Sequence, residues 1–408
     1  MLMVESAVAL CAVGAEKTVS NEIRKLGLKV SEGGFGRVRF KTDLYGIYRA
    51  LMGLRAADKV LLEVAYFQAL DFDALFEGVR HLPWEEYIPP RLGLRVAKVR
   101  TNRSALGAET SIQAVVHKAA AEKLCVKRGI NRLPEHGDEA ELRVYIEKNQ
   151  VSVLLDLSGE PLFKRGYRTR GGIAPLRETT AAAIILCSGW RRKFSLYDPF
   201  CGSGTIAVEA AMYAWDLAPG LGRHFAIEQL LFADSGIERK VRNEFLEKVD
   251  FSRPVRIGGS DAEAASVADA RANMERAIAL TRDGKAGKDC FNGQLPSFKV
   301  IPMEEAKPPD FTGKAAGFPD ADPKNPLADV EGFIITNPPY GHRLGDRESA
   351  ERTYTEMGRL ARNFSGWKLA VITDHSGFES FFGTKADSCR EITNGAIRSY
   401  LYQYEKLG

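Results

Sequence analysis

The apolar and polar positions of the first 160 residues predict short strands and helices in alternation. Residues 7–10 are apolar, residues 16–26 have helical spacing, and Val38 and Phe40 alternate after a pair of glycines. Further elements are predicted as a strand at 92–99, a long helix at 111–126, and a hairpin of residues 142–146 and 151–155 that turns at 148–150. This half is therefore expected to be α+β.

A basic segment with glycines, residues 164–172, leads into a second half with a different pattern. Buried strands now alternate with helices, as in a doubly wound parallel sheet. The predicted strands lie at 194–197, 255–258, 332–336 and 369–373, and the predicted helices at 206–215, 264–280 and 349–363. A terminal pair, 389–393 and 397–404, turns at Asn394-Gly395, which suits a tight hairpin. The pattern predicts an α/β sheet that ends in an antiparallel hairpin.

Two stretches interrupt this alternation, residues 281–297 and 308–328, both rich in Gly, Pro, Asp and Lys. Loops of this length are usually functional or mobile. The length of 408 residues favours two or three folded units, and 45% hydrophobic with 27% charged residues is typical of a soluble globular protein. A formal charge of +4 says little about partners.

The cysteines and the apolar runs bear on the compartment. Six cysteines are scattered without a CxxC pair or clustered histidines, so neither a metal site nor a disulfide framework is expected. The first residues lack the pattern of a secretion signal, and no run of about 18 apolar residues is present. The protein is expected to be cytoplasmic, without a membrane partner.

The first chemical motif is DPFCGSGT, residues 198–205, between an apolar strand and a helix. Open α/β sheets bind ligands at such strand ends, and the glycines allow close approach of the backbone. A dinucleotide fingerprint needs a third glycine and a phosphate loop needs Gly-Lys-Ser/Thr, and the segment has neither. Asp198 before this turn suits a ligand with a sulfonium and an amino-acid tail, while the alternative is a tight turn with an N-cap. Asp261, one strand later, suits the hydroxyls of a ribose or caps the next helix.

The second motif is NPPYG, residues 337–341, directly after an apolar strand. Its prolines immobilise the backbone, so that the Asn337 side-chain oxygen and the Pro338 carbonyl are fixed acceptors beside Tyr340. This frame matches a flat heterocycle with an exocyclic amine: the acceptors take its two hydrogens and Tyr340 stacks on the ring. Methyl transfer then depends mainly on positioning, and a nucleobase must leave its stack to enter. The alternative is a rigid Pro-Pro turn with a packed tyrosine.

With these residues, the chain resembles class I S-adenosylmethionine-dependent methyltransferases, and most of all the THUMP-domain RNA guanine-N2 methyltransferases of the ribosomal-RNA type. The likeness is carried by residues 13–16, 102–117, 164–170, 172–178, 198–205, 337–341 and 394–404. It implies a ferredoxin-like domain at 1–60, a THUMP RNA-binding domain at 61–160 and a Rossmann-like methyltransferase domain at 161–408. It also implies catalytic roles for Asn337, Pro338, Pro339 and Tyr340. The implied S-adenosylmethionine site consists of Asp198, Cys201, Gly202, Gly204, Thr205 and Asp261, covered by Ala174, Pro175 and Leu176.

One departure concerns the adenine of the cofactor. The family has an acidic residue after the third strand, and residues 300–305 lack the usual Gly-Asp. The backbone of Met303 with Glu304 is the expected substitute.

The choice of substrate rests on the first half of the chain, because the NPPY motif also occurs in DNA adenine-N6 methyltransferases. A front half that resembles RNA-binding domains favours RNA, and 23S ribosomal RNA by family likeness. Basic side chains suited to a phosphate backbone are Lys98, Arg100, Arg103, Arg165, Arg168 and Arg170, although each is also compatible with a solvated surface charge. The alternatives are a transfer-RNA guanine-N2 enzyme, a DNA adenine-N6 enzyme and a non-catalytic RNA-binding assembly factor.

Overall fold

The computed structural model describes residues 5–134, 136–168, 176–280, 291, 293–310, 331–340 and 346–408. Three of the predicted site residues, Arg170, Ala174 and Pro175, lie outside this part of the chain, as does most of the two long loops. Within the described residues the strands form two sheets of seven strands each. None of the described helices combines the length and the apolar character that crossing a membrane requires.

The first sheet is built from the first 156 residues. Its elements in chain order are β1 (Ser6–Cys11), α1 (Glu16–Lys25), β2 (Lys29–Gly34), β3 (Arg37–Lys41), α2 (Leu44–Gly53), β4 (Ala57–Gln68), α3 (Phe72–Arg80), α4 (Trp84–Tyr87), β5 (Gly93–Asn102), α5 (Glu109–Arg128), β6 (Glu139–Glu147) and β7 (Gln150–Asp156). The strand order is β2-β3-β1-β4-β7-β6-β5. The first four strands with α1 and α2 form the ferredoxin-like unit, and β4 continues past residue 60, so the boundary expected there falls inside one strand.

Alternation along the strands gives this sheet two different faces. Ala7, Ala9, Val38 and Phe40 point toward the helices and are buried against residues such as Ile23 of α1. On the other face, Val8, Leu61 and Leu154 form a small cluster of their own beneath longer side chains. Among the described residues, one face is thus covered by helices, and the other is covered only by its own side chains.

The second half supplies the second sheet. Its elements are α6 (Glu178–Cys187), β8 (Ser195–Asp198), α7 (Thr205–Ala214), α8 (Ser235–Leu246), β9 (Ile257–Asp261), α9 (Ala264–Ala279), β10 (Ser297–Val300), β11 (Gly332–Thr336), α10 (Asp346–Leu360), β12 (Lys368–Thr373), α11 (Phe378–Phe382), β13 (Ser388–Asn394) and β14 (Ile397–Tyr404). The order is β10-β9-β8-β11-β12-β14-β13.

The strand order explains where a ligand binds. Strands β8 to β12 run parallel, and β14 and β13 are antiparallel, which confirms the predicted α/β sheet with its terminal hairpin. Counted from β8, the chain first moves outward through β9 and β10 and then returns to the other side of β8 as β11. Such a reversal of strand order creates a crevice at the carboxyl ends of the two central strands. Here those strands are β8 and β11, which carry the two predicted motifs.

The two halves are packed against each other through buried polar contacts. The side chain of Arg55, before β4, donates to two carbonyls of the second half, that of Leu217 at 2.9 Å and that of Met212 at 3.4 Å. A Cβ atom at Gly220 would lie 2.6 Å from the Met52 backbone, so the backbones of these two segments lie too close together for a side chain at residue 220. One hydrophobic cluster contains residues of both halves. The two halves therefore share a core.

Candidate active site

Asp198 ends β8 inside the protein, with only 1% of its surface exposed. Its Oδ1 atom accepts a hydrogen bond from the Thr336 hydroxyl at 2.6 Å and one from the Phe200 amide at 3.1 Å. Burial raises the pKa of Asp198 to about 7, the two hydrogen bonds oppose this rise, and the Asp261 carboxylate adds to it. A buried carboxylate in such surroundings favours a ligand that brings a positive charge.

The turn that follows depends on two glycines with positive φ, Gly202 at +49° and Gly204 at +81°. A Cβ at Gly204 would lie 2.8 Å from the Cβ of Ala270 on α9, so this glycine allows the turn to pack against the helix. A Cβ at Gly202 would meet no atom within 4 Å. The backbone at Gly202 therefore borders open space, as a ligand cradle requires.

Strand β9 supports the turn from the side. The Cys201 amide donates to the Ser260 carbonyl at 2.9 Å, and the Gly202 amide donates to Asp261 Oδ2 at 2.9 Å. The other carboxylate oxygen of Asp261 accepts from the Glu263 amide, also at 2.9 Å. Burial raises the pKa of Cys201, which keeps it a neutral thiol. Asp261 thus orders both the turn and the start of α9, and each carboxylate oxygen retains acceptor capacity for a hydroxyl.

Arg168 lies at this turn. Its guanidinium donates to the Thr205 hydroxyl and, at 3.0 Å, to the Leu176 carbonyl, and it approaches Glu178 to 3.6 Å. These contacts join the start of α7 to the segment that precedes α6. These donors are directed at protein acceptors, and the contact of the half-buried Arg168 with a phosphate backbone stays a prediction.

Asn337 and Tyr340 follow β11 and contact each other. The Tyr340 hydroxyl donates to Asn337 Oδ1 at 2.6 Å, and a carbonyl oxygen has a second lone pair for another donor. Burial raises the pKa of Tyr340, and the nearby Asp374 carboxylate adds to the shift, so the phenol stays protonated as a donor. Pro338 is buried and Pro339 is exposed.

Tyr354 on α10 holds this segment from the other side. Its hydroxyl donates to the Pro339 carbonyl at 3.2 Å and shares a hydrogen bond of 2.9 Å with the Thr373 hydroxyl at the end of β12. Burial raises the pKa of Tyr354 to about 12. The Asn337–Tyr340 segment is thus connected to the strand on each side, through Thr336 to β8 and through Tyr354 to β12.

The two motifs are neighbours in space. Strands β8 and β11 pair in parallel, with Ile334 opposite Tyr197, and the Thr336–Asp198 hydrogen bond joins their ends. The DPFCGSGT turn and the NPPY segment therefore begin side by side at the crevice. Met303, the expected adenine contact, follows β10 and packs its side chain with Tyr197 and Ile334, while Glu304 beside it is exposed.

The remaining basic residues fall into two groups. Lys98, Arg100 and Arg103 are exposed on β5 and the turn after it. Arg165 is 2% exposed, and its guanidinium donates to the carbonyls of Leu162 and Arg55 and faces Glu209. An arginine enclosed in this way binds the two halves of the protein together, so its predicted contact with a phosphate backbone is incompatible with the structure.

Three residues of the site have no motif of their own: Thr336, Tyr354 and Asn273. Asn273 is 2% exposed on α9 and donates through Nδ2 to the Ser203 carbonyl at 2.9 Å. It lies on the same helix face as Ala270, Met274 and Ala277. Asn273 is thus a polar residue on the apolar face of a helix, and this pattern in the sequence could have indicated its role.

Comparison with known proteins assigns the arrangement to a family. Residues 165–282 and 320–403 match the family model described as RMKL-like, methyltransferase domain, and residues 6–61 match the RlmL ferredoxin-like domain. The chain belongs to the RMKL-like methyltransferase family. It is an S-adenosylmethionine-dependent methyltransferase, as its sequence predicted.

Similar proteins share the whole length of this RMKL-like chain. It is 34% identical over 405 residues to the Bacillus subtilis (strain 168) protein named "Putative RNA methyltransferase YpsC", covering 97% of this chain and 95% of the relative. It is 30% identical over 412 residues to the ribosomal RNA large subunit methyltransferase K/L of Marinomonas sp. (strain MWYL1), covering 97% of this chain and 52% of that protein. The chain thus spans about half the length of this K/L relative. The crystal structure of "SMU.472, a putative methyltransferase complexed with SAH" matches with 35% identity, a TM-score of 0.82 and complete coverage of both chains.

The residues at the crevice of this RMKL-like protein fit S-adenosylmethionine. The buried Asp198 carboxylate suits the cationic amino-acid end, the open space at Gly202 leaves room beside the backbone, and Asp261 offers acceptors to a ribose. The described residues include no group of three or more His, Cys, Asp or Glu arranged to hold a metal ion.

Proposed function

We propose that this methyltransferase modifies the exocyclic N2 amine of a guanine in RNA, with 23S ribosomal RNA as the substrate. The observation that carries the proposal is the hydrogen bond between Thr336 and Asp198, because it places the two motifs at one crevice. Amine chemistry is supported by the Asn337 and Pro338 acceptors. The names of the YpsC and K/L relatives support RNA, and the K/L name supports ribosomal RNA. Residues 61–160 are assigned to the THUMP RNA-binding domain, and the cytoplasm is the proposed compartment.

The residues of the crevice perform the reaction by positioning. Asn337 Oδ1 and the Pro338 carbonyl accept the two hydrogens of the amine, which frees the nitrogen lone pair from delocalisation into the ring. Tyr340 stacks on the flipped base while its hydroxyl holds the Asn337 side chain. Bound S-adenosylmethionine supplies an electrophilic methyl group on a sulfonium.

The balance of the transfer needs no strong base. A nitrogen–carbon bond forms as the carbon–sulfur bond breaks, and the electron pair returns to sulfur. The methylated nitrogen is acidic and loses one proton to the solvent. Asp198 remains at the cofactor end, where it neutralises the amino-acid ammonium and takes no part in proton transfer.

The proposal is tested by incubating the protein with methyl-labelled S-adenosylmethionine and ribosomal RNA from a strain that lacks the protein. Digestion to nucleosides and mass spectrometry should give N2-methylguanosine, and Asn337→Ala should form it at least about 100-fold more slowly. Transfer RNA in a parallel reaction separates the two RNA classes. Label that appears only as N6-methyladenine in DNA would contradict the proposal, as would tight RNA binding without any affinity for S-adenosylhomocysteine.

A further inference from the structure

The face of the first sheet that helices leave uncovered is built from aligned rows of aromatic and basic side chains. Strand register places Tyr66 of β4 beside Ser152 of β7, which faces Tyr145 of β6, which in turn faces Arg100 of β5. The next row aligns Arg39 of β3 with Val8 of β1. We call this surface the open face.

A groove of roughly 270 Å³ lies on the open face between the β2–β3 turn and the β6–β7 turn. Its lining includes Phe35, Arg37, Arg39, Tyr66, Tyr145 and Lys148. The Phe35 ring is 84% exposed and the Tyr66 residue is 54% exposed. Large apolar rings are seldom left this accessible on one surface unless a partner covers them.

The guanidinium groups of the groove are held as flat surfaces beside the rings. The Arg39 guanidinium carbon lies 4.6 Å from the centre of the Tyr66 ring, and that of Arg37 lies 5.2 Å from the centre of the Tyr145 ring. Arg39 is fixed by Glu63 at 2.8 Å and Glu32 at 2.7 Å. Arg37 is paired with Glu147 in the same way, so carboxylates neutralise much of the charge of both guanidinium groups.

We infer that the open face binds an unpaired stretch of RNA, whose bases stack on Phe35, Tyr66 and the adjoining guanidinium planes. The inference rests on the proposed RNA substrate. Exposed rings and arginine planes recognise splayed single-stranded bases, whereas a duplex hides its base faces. Lys148, which is exposed and lines the groove, supplies positive charge for the phosphates, and the exposed Arg100 lies on the neighbouring strand opposite Tyr145.

A chain of hydrogen bonds connects the groove to the second half of the protein, which contains the crevice. The Glu16 carboxylate accepts from the Gly36 amide, next to Phe35, at 2.8 Å and from the Gly14 amide at 2.9 Å. Val13, one residue before Gly14, makes two hydrogen bonds with Thr393 of β13. The Val13 amide donates to the Thr393 hydroxyl and the Thr393 amide donates to the Val13 carbonyl, both at 3.0 Å. RNA held on the open face is therefore held at a set distance from the crevice.

The test measures binding of the full-length protein to a fluorescent ten-nucleotide oligouridylate and to a ten-base-pair RNA duplex. Phe35→Ala and Tyr66→Ala are each expected to weaken oligouridylate binding about tenfold, the typical loss of one base stack, with duplex binding unchanged. Tyr66→Phe should restore affinity because it keeps the ring. Phe72→Ala, at the start of α3, is the matched control, and it should bind like the parent.

The outcomes separate this inference from the proposed function. Every variant should bind S-adenosylhomocysteine like the parent by calorimetry, and the highly exposed Phe35 decides the matter if Tyr66→Ala fails to fold. Parent-like RNA affinity in Phe35→Ala would overturn the inference, and so would a change of oligomeric state without a change in RNA affinity. If the parent methylates RNA in these cases, the proposed function still stands. A parent that neither binds nor methylates RNA would remove both.

Discussion

The two segments at the crevice end neighbouring strands, yet they are held in different ways. At the turn 198–205 the groups that are held belong to the backbone: two glycines have positive φ, the Cys201 and Gly202 amides donate to β9, and the Ser203 carbonyl accepts from Asn273 on α9. The segment Asn337–Tyr340 is fixed by side chains, since two tyrosine hydroxyls hold an amide oxygen and a prolyl carbonyl.

The difference matches what each segment is proposed to bind. A cofactor turn needs exposed backbone beside a buried charge, and added atoms would block it. An amine pocket needs acceptors at set positions, and loss of a supporting hydroxyl would misplace them. Substitutions in the two segments should therefore fail in different assays, by affinity or folding at the turn and by turnover at the amine pocket.

The largest effect is expected at Asn337. Asn337→Ala removes the side-chain acceptor for the amine, so the turnover number should fall at least about 100-fold, the usual consequence of losing a positioned hydrogen-bond partner. The affinity for S-adenosylhomocysteine, measured by calorimetry, should stay within about twofold of the parent because Asn337 does not support the turn.

Asn21→Ala, an exposed asparagine on α1, is the matched control and should retain full turnover. Parent-like activity of Asn337→Ala would show that another group orients the amine.

A pair of glycine substitutions sharpens the comparison within the turn. Gly204→Ala places a Cβ 2.8 Å from Ala270 and forces a left-handed alanine, so unfolding should require about 2–4 kcal/mol less free energy. Gly202→Ala meets no protein atom, and its stability loss should stay near 1 kcal/mol, at about the left-handed penalty alone. Its main effect should be on cofactor affinity, since the new methyl group enters the open space.

Urea denaturation and calorimetry with S-adenosylhomocysteine separate the two outcomes. The comparison fails if both variants lose the same stability, or if Gly202→Ala binds the ligand unchanged.

The pKa of Asp198 predicts how ligand affinity depends on pH. Because this pKa is raised to about 7, the group is neutral well below pH 7 and ionises as pH rises through that value. A cationic ligand prefers the ionised form. The affinity for S-adenosylhomocysteine should therefore rise about tenfold per pH unit between pH 5.5 and 6.5 and level off above pH 7.5.

Asp198→Asn is the control, since its amide oxygen can still accept from Thr336 and Phe200. It should bind weakly and with a flat pH profile. A parent profile that is flat over the same range would place the ligand's charge elsewhere.

Features of this fold can be predicted from the sequence when they depend on residues that are close together along the chain. Strands that are buried on both faces, such as β11 and β12, are continuous apolar runs in the sequence. The terminal hairpin is indicated by Asn394-Gly395, and Gly395 has the positive φ, +65°, that such a turn requires. The two motifs are local as well. Helix α8 is missing from the predicted elements, although its sequence carries a local signal: Asp234 caps its first turn, and Ile237, Val241 and Phe245 recur at helical spacing.

The basic residues show the limit most clearly. Arg165 and Arg168 lie three positions apart in a segment that looks like solvated linker, yet each is enclosed by groups from distant parts of the chain, Glu209 and Arg55 for one and Thr205 for the other. Composition cannot distinguish a buried arginine from an exposed one. Only the fold reveals which carbonyls surround it.

The smallest expected effect is at Tyr354, a positioning residue that touches neither the base nor the cofactor. Tyr354→Phe keeps the ring in its cluster but removes the hydroxyl that joins Pro339 to Thr373. The free energy of unfolding should fall by about 1 kcal/mol, the net value of a buried hydrogen bond. The turnover number should fall about three- to tenfold, because the Asn337 and Pro338 acceptors are held less firmly in position. Affinity for S-adenosylhomocysteine should not change.

Tyr404→Phe is the control. Tyr404 lies in the same cluster, but its hydroxyl donates to the Thr384 carbonyl, so the substitution should cost similar stability without loss of turnover. Equal turnover losses in the two variants would mean that Tyr354 acts through stability alone, and the amine pocket would then owe its geometry to the prolines.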